Sequence, residues 1–74
     1  MAKFSDYSLW RMRRRGISRE EVDLVLRDPD VTYPSGTSNR HCYVREIGER
    51  CIKVVVEQAD HEQVVTTYDQ RANG

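Results

Sequence analysis

No stretch of this 74-residue chain approaches the roughly 18 consecutive apolar residues that a membrane-spanning helix requires. The opening segment Met1-Ala2-Lys3-Phe4-Ser5-Asp6 carries no apolar core, so no signal peptide is read there. Two cysteines are too few for a disulfide framework, and no Cys/His spacing matches a zinc site. These absences predict a reduced, cytoplasmic protein with no metal and no cofactor, and no membrane partner. Charge of one sign is lacking as well: twelve Lys and Arg balance twelve Asp and Glu. A uniformly basic nucleic-acid binder is thereby excluded. Repeats and low-complexity tracts are absent.

What is present is a single small domain, 38% hydrophobic and 32% charged, with a mean hydropathy of −0.77. A domain of this size buries only about 60% of its unfolded surface. The charge balance is uneven along the chain. Residues 1–27 hold seven bases against four acids, and residues 28–74 five bases against eight acids. A local basic patch is therefore compatible with zero net charge.

The clearest local signal is Ile17-Ser18-Arg19-Glu20-Glu21-Val22. Ser18 and Glu21 form a capping box, Ile17 and Val22 its hydrophobic staple, and Glu20, Glu21 and Asp23 suit the positive end of a helix. Val22, Val25 and Leu26 supply one apolar face, and Pro29 ends a helix over 18–28. An earlier helix over 5–15 is closed by Gly16. Ser5, Ser8, Leu9, Met12 and Gly16 share its packing side, whereas Tyr7, Trp10, Arg11 and Arg14 share the other. Beyond Pro29 the period becomes two. Val31 to Tyr33 is a short extended segment before Pro34-Ser35-Gly36, and Thr37-Ser38-Asn39 continues a polar loop. Strands follow over 40–46, 50–57 and 63–68, with Ile47-Gly48-Glu49 as a three-residue hairpin loop and a frayed C-terminus.

The predicted fold class is therefore α+β, with two N-terminal helices packed on one face of a three- or four-stranded antiparallel sheet. Pairing Glu46 with Arg50 turns Cys42, Val44, Ile52, Val54 and Val56 to the core. His41, Tyr43, Arg45, Cys51, Lys53 and Val55 then share the open face, and the two cysteines fall on opposite faces.

On that open face His41, Tyr43, Arg45 and Lys53 form a candidate catalytic group. Metal-free RNA cleavage needs an acid, a base and cations against the phosphate. A solvated outer sheet face gives the same polar alternation without any chemistry. On the first helix, Arg14 lies four residues after Trp10, the spacing of a cation–π pair. That cluster reads equally as phosphate binding and as cover for the indole. Tyr7, Arg11, Arg14 and Tyr68 are the candidate RNA-binding residues. A helix-turn-helix reading fails because the second helix opens with carboxylates that would face phosphate. His61, in the polar turn 58–62, is expected to be solvent-exposed.

The blocks Phe4-Ser5-Asp6-Tyr7-Ser8-Leu9-Trp10-Arg11-Met12, Arg15-Gly16-Ile17-Ser18, Glu20-Glu21-Val22 and Asp28-Pro29-Asp30 resemble a bacterial domain-of-unknown-function family, number 4258. Arg40, Tyr43-Val44-Arg45, Val54-Val55-Val56 and Val64-Val65-Thr66-Thr67-Tyr68 fit the same pattern. That family is similar in architecture to the RelE/ParE and barnase-like toxins. The resemblance implies a RelE-like fold, RNA-directed activity and an antitoxin partner. The family's first-helix histidine is replaced here by Tyr7, while its arginine is kept as Arg11. Tyrosine, with a pKa near 10, is a poor general base at neutral pH. Two functions from different classes follow. One is a metal-independent RNA-cleaving or RNA-binding toxin relative, with His41 replacing the lost base. The other is a non-catalytic interaction module, a homodimer or partner-binding domain.

Overall fold

A computed structural model describes residues 2–36 and 39–71. Thr37 and Ser38 of the expected loop, and residues 72–74 of the expected frayed end, lie outside the described residues. The elements are β1 (Lys3–Phe4), α1 (Asp6–Arg15), α2 (Arg19–Arg27), β2 (Val31–Pro34), β3 (Arg40–Ile47), β4 (Arg50–Glu57) and β5 (Gln63–Asp69).

Both helices start and stop where their capping chemistry puts them. Ser5 accepts from the Ser8 amide at 3.1 Å to cap α1. Gly16 closes the helix in the left-handed region at φ 66°, where a Cβ would be strained. The Gly16 amide donates to the Arg13 carbonyl and the Ile17 amide to the Met12 carbonyl, a Schellman closure whose apolar pair, Met12 and Ile17, enters the core. Immediately afterwards Ser18 and Glu21 make both bonds of the capping box, at 2.9 and 3.1 Å. Ile17 and Val22 are both buried beside it.

The sheet has five strands in the order β1-β5-β4-β3-β2, and it is mixed. The expectation of an all-antiparallel sheet of three or four strands is corrected at its edge. Lys3 and Phe4 add a parallel strand along Gln63 and Val64. Two residues carry no periodicity of their own, so only β5 defines this strand. At the other edge β2 is exposed throughout, and Pro34 ends it where a missing amide costs little.

The central hairpin departs from the expected register by one residue. Ile47 pairs with Arg50, so the loop is the two-residue Gly48-Glu49 and not the three-residue Ile47-Gly48-Glu49. Gly48 sits at φ 60° and Glu49 has no positive φ, the pattern of a type II′ turn with glycine first. One step of register inverts every side chain of a strand. Ile52, Val54 and Val56 do face the helices, together with Tyr43 and Ile47 on β3. Cys42 and Val44 point to the opposite face, beside Val55 and Lys53. Cys42 and Cys51 therefore share that face. They are free thiols because Cys51 lies four residues along β4 from Val55, the partner of Cys42. That spacing is roughly 13 Å, beyond the reach of a disulfide.

Met12, Ile17, Val22, Val25, Ile52, Val54, Val56 and Val64 form the buried core, ringed by Phe4, Leu9, Leu26, Tyr43 and Ile47. Arg50, at the start of β4, ties its rim. Its guanidinium donates to Glu21 at 2.6 Å, to the Gly16 carbonyl at 2.9 Å and to Asp69 at 3.3 Å. One side chain thus joins the interhelical turn, α2 and the end of β5.

Replacing Ile52, which is fully buried, with alanine is expected to cost about 2–5 kcal/mol, measured by urea unfolding. A second expectation concerns acid. Desolvation pushes the Asp69 carboxyl up, but hydrogen bonds from the Arg71 and Cys51 amides and from Arg50 outweigh it, holding it below its ordinary 3.8. Asp60 is lowered by its hydrogen bond from Lys3 and by the Glu62 amide. Such carboxyls contribute stability that is present above about pH 3.8 and lost as pH falls through their folded values. Asp69→Asn should flatten the acid limb of a stability-versus-pH profile without abolishing it, because Asp60 still titrates.

Candidate nucleic-acid interface

The outward face of α1 and the helix-free face of the sheet form one surface. Tyr7 and Trp10 are 57% and 45% exposed, with ring centroids 6.2 Å apart. The Arg11 guanidinium lies 5.9 Å from the Tyr7 ring and 5.8 Å from the indole, and Arg14 lies 5.0 Å over the indole. One turn further on, Arg15 stands 4.6 Å over the Tyr68 ring and donates to the Thr67 carbonyl. Tyr68 on β5 is opposite Lys53 on β4. The Lys53 ammonium is 5.9 Å from Tyr68 and 5.8 Å from Tyr33 on β2.

Cations and rings therefore alternate from α1 across the sheet to its far edge. The sheet portion, from β5 to β2, covers about 14 Å at the usual strand spacing. Each such contact at an exposed site is worth about 0.5–1 kcal/mol, enough to orient a side chain without hiding it. The ion pairs among the described residues occupy Lys3, Arg45, Arg50 and Arg71. Arg11, Arg14, Arg15 and Lys53 have no carboxylate partner among them. Beneath this run Cys42, Val44, Val55 and Thr66 are buried although no helix covers them. Tyr33, Lys53 and Tyr68 are their neighbours in register on that face.

The four expected RNA-binding residues, Tyr7, Arg11, Arg14 and Tyr68, all lie on this surface. Arg15 and Tyr33 are additions. The i+4 step from Arg11 to Arg15 was readable in the sequence, but the meeting of Tyr33 with Lys53 across β3 was not. Tyr68, assignable to either face from sequence, lies on the uncovered one.

The expected catalytic group does not assemble. Lys53 is on the uncovered face, whereas His41, Tyr43 and Arg45 are on the face that carries the helices. Arg45 is engaged there by the Asp28 carbonyl at 2.7 Å and its carboxylate at 3.2 Å. The missed signal was Gly48: a glycine leading a two-residue loop is the mark of a type II′ hairpin. His61 is also corrected. Far from projecting into solvent, it is half-buried, with Nδ1 2.7 Å from the Tyr43 hydroxyl and its ring stacked 4.8 Å from that of His41.

Residues 4–69 match the family model described as a domain of unknown function (DUF4258), and the chain belongs to that family. No curated protein and no solved structure matches it. Among the described residues, no helix is long and apolar enough to cross a membrane.

The two faces can be separated by double-mutant cycles on unfolding free energy. Lys53→Ala and Tyr68→Ala should couple by about 0.5–1 kcal/mol. Lys53→Ala and His41→Ala, on opposite faces, should be additive within about 0.5 kcal/mol.

Proposed function

We propose that this DUF4258 chain binds single-stranded RNA across its uncovered sheet face, in the cytoplasm. The observation that carries the reading is the alternation of unpaired cations with exposed rings from Trp10 to Tyr33. Arg11, Arg14, Arg15 and Lys53 neutralise successive phosphates, and Tyr68, Tyr33, Trp10 and Tyr7 offer stacking platforms to unpaired bases. Double-stranded nucleic acid fits less well, because its bases are already stacked and withdrawn from such rings. Zero net charge limits the attraction to this surface.

The surface binds RNA without cleaving it. Phosphoryl transfer from a 2′-hydroxyl needs a base and an acid beside the phosphate, and both histidines belong to the other side of the sheet. Tyr7, in place of the family histidine, contributes an exposed ring. The succession of two helices and four antiparallel strands after β1 supports placing the chain beside the RelE/ParE toxins, as a relative that has kept RNA contact. A second reading, a protein-binding module, is favoured by one observation. Among the described residues the outer edge of β2 is unpaired, and its Val31 is 54% exposed, a place for an added strand from an antitoxin or a second copy.

Fluorescence anisotropy with a labelled single-stranded RNA octamer tests the proposal. The logarithm of the affinity should fall with the logarithm of salt concentration with a slope near −2.8, about 0.7 for each of four phosphates. The double variant Arg15→Ala, Lys53→Ala should bind at least roughly tenfold more weakly with a shallower slope, and Arg45→Ala should bind as the wild type does. The RNA should stay intact in EDTA. Binding that ignores the double variant, or no binding beside a concentration-dependent dimer in light scattering, would move the function to the β2 edge.

A further inference from the structure

The cation–aromatic run stops at Tyr33 because the sheet does. β2 is the last strand, and all four of its residues are exposed. Val31 pairs with Val44 and Tyr33 with Cys42, so both side chains stand on the uncovered face, 54% and 38% exposed. Thr32 and Pro34, opposite Tyr43 and His41, stand on the other. The backbone alternates as well. The Ser35 amide donates to the Arg40 carbonyl in continuation of this ladder. The amides of Val31, Tyr33 and Ser35 therefore turn inward to β3, and the outward positions are Thr32 and Pro34. Pro34 has no amide to donate. The Asp30 amide is already given to the Val44 carbonyl. Along β2 the outer edge thus offers one N–H, that of Thr32, with its own carbonyl beside it.

We propose that two copies of this chain pair antiparallel through β2, Thr32 opposite the partner's Thr32, and so join their cation–aromatic runs into one RNA-binding surface. This two-fold pairing uses the single outward amide twice, each Thr32 donating to the carbonyl of the other. It sets Val31 opposite the partner's Tyr33 and Tyr33 opposite the partner's Val31. Both are aromatic–β-branched cross-strand pairs, the kind that stabilises antiparallel strands. Shifted so that Tyr33 meets the partner's Tyr33, the strands would leave Val31 opposite Ser35 and without a ring. No like charges are opposed, since Asp30 falls opposite the partner's Pro34. An unrelated strand is a poorer occupant, because it finds one donor in β2 and supplies no matched Val–Tyr pairs of its own.

A two-fold axis normal to the sheet keeps both uncovered faces on the same side. The run then continues from Tyr33 to the partner's Tyr33, Lys53 and Tyr68. From Tyr68 to the partner's Tyr68 there are seven strand spacings, about 33 Å. Stacking and phosphate charge are tolerant of base sequence, and neither reads strand direction, so one RNA can follow both halves. The joining of the runs rests on the RNA-binding reading; the pairing of the strands does not.

Sedimentation equilibrium of the chain without RNA tests the pairing. A reversible dimer should appear with a Kd on the order of 100 μM, as suits a contact of few hydrogen bonds. Thr32→Pro, which removes the outward amide and no bond to β3, should weaken it at least about tenfold, and so should Val31→Lys. Both variants should keep the wild-type circular dichroism. In a Cys51→Ser background, Thr32→Cys should crosslink to itself with diamide, because residues opposite each other in a hydrogen-bonded pair are about 5.5 Å apart. Val31→Cys, offset from its own copy, should not. A chain monomeric at about 1 mM, a dimer indifferent to both edge variants, or equal crosslinking of the two cysteine variants would overturn the pairing. The crosslinked dimer should bind a uridine hexadecamer at least roughly tenfold more tightly than an octamer, with a salt slope near −5.6, about 0.7 for each of eight phosphates. Equal affinity for the two lengths would overturn the joined surface. Loss of octamer binding as well would overturn the RNA reading and the joined surface together, and leave the strand pairing to stand on sedimentation and crosslinking.

Discussion

The arrangement of this molecule depends on a two-residue turn. Gly48 at φ 60° closes β3 onto β4 with Ile47 opposite Arg50. The type II′ turn matches the right-handed twist of its strands, which a type I or II turn would splay. Because strand side chains alternate, this one closure decides that Tyr43 and Arg45 lie with Val54 and Ile52 under the helices. It also sends Lys53 to the opposite face, between Tyr68 and Tyr33. Both groupings, the aromatic run and the histidine cluster, descend from that register.

Around the hairpin the charged residues divide into two populations. Arg45 and Arg50 are anchored to carboxylates and carbonyls at the joints between elements. There they satisfy groups that helix and strand ends leave unpaired. Arg11, Arg14, Arg15 and Lys53 rest instead on aromatic faces. A ring fixes the position of a cation without cancelling its charge, so these side chains are held in place and still able to meet an anion. That separation reconciles zero net charge with a locally basic surface.

The fold was legible where its determinants are local. Ser18 and Glu21, Gly16 and Ile17, and the apolar spacing of Val22 and Val25 each need only neighbours within a turn, and α1 and α2 formed within a residue or two of their expected bounds. The three long strands also followed from alternation. β1 was illegible, since Lys3 and Phe4 gain strand geometry only from the edge of β5. The candidate RNA-binding residues were legible in part, because Tyr7, Arg11 and Arg14 are helix neighbours. The catalytic group was not, because its convergence rested on a register set by two possible loop lengths around one glycine.

The amino-acid sequence by itself determined the two capped helices, the long strands, the charge asymmetry and the aromatic–arginine face of α1, all governed by contacts a few residues apart. Tertiary structure decided which face each strand residue occupies, that Arg15 and Lys53 bracket Tyr68, and that His61 folds back onto His41 and Tyr43. These are pairings between residues 15 to 53 positions apart in the chain. Hydrophobic periodicity leaves them open, and only the packing of the whole sheet against its helices closes them.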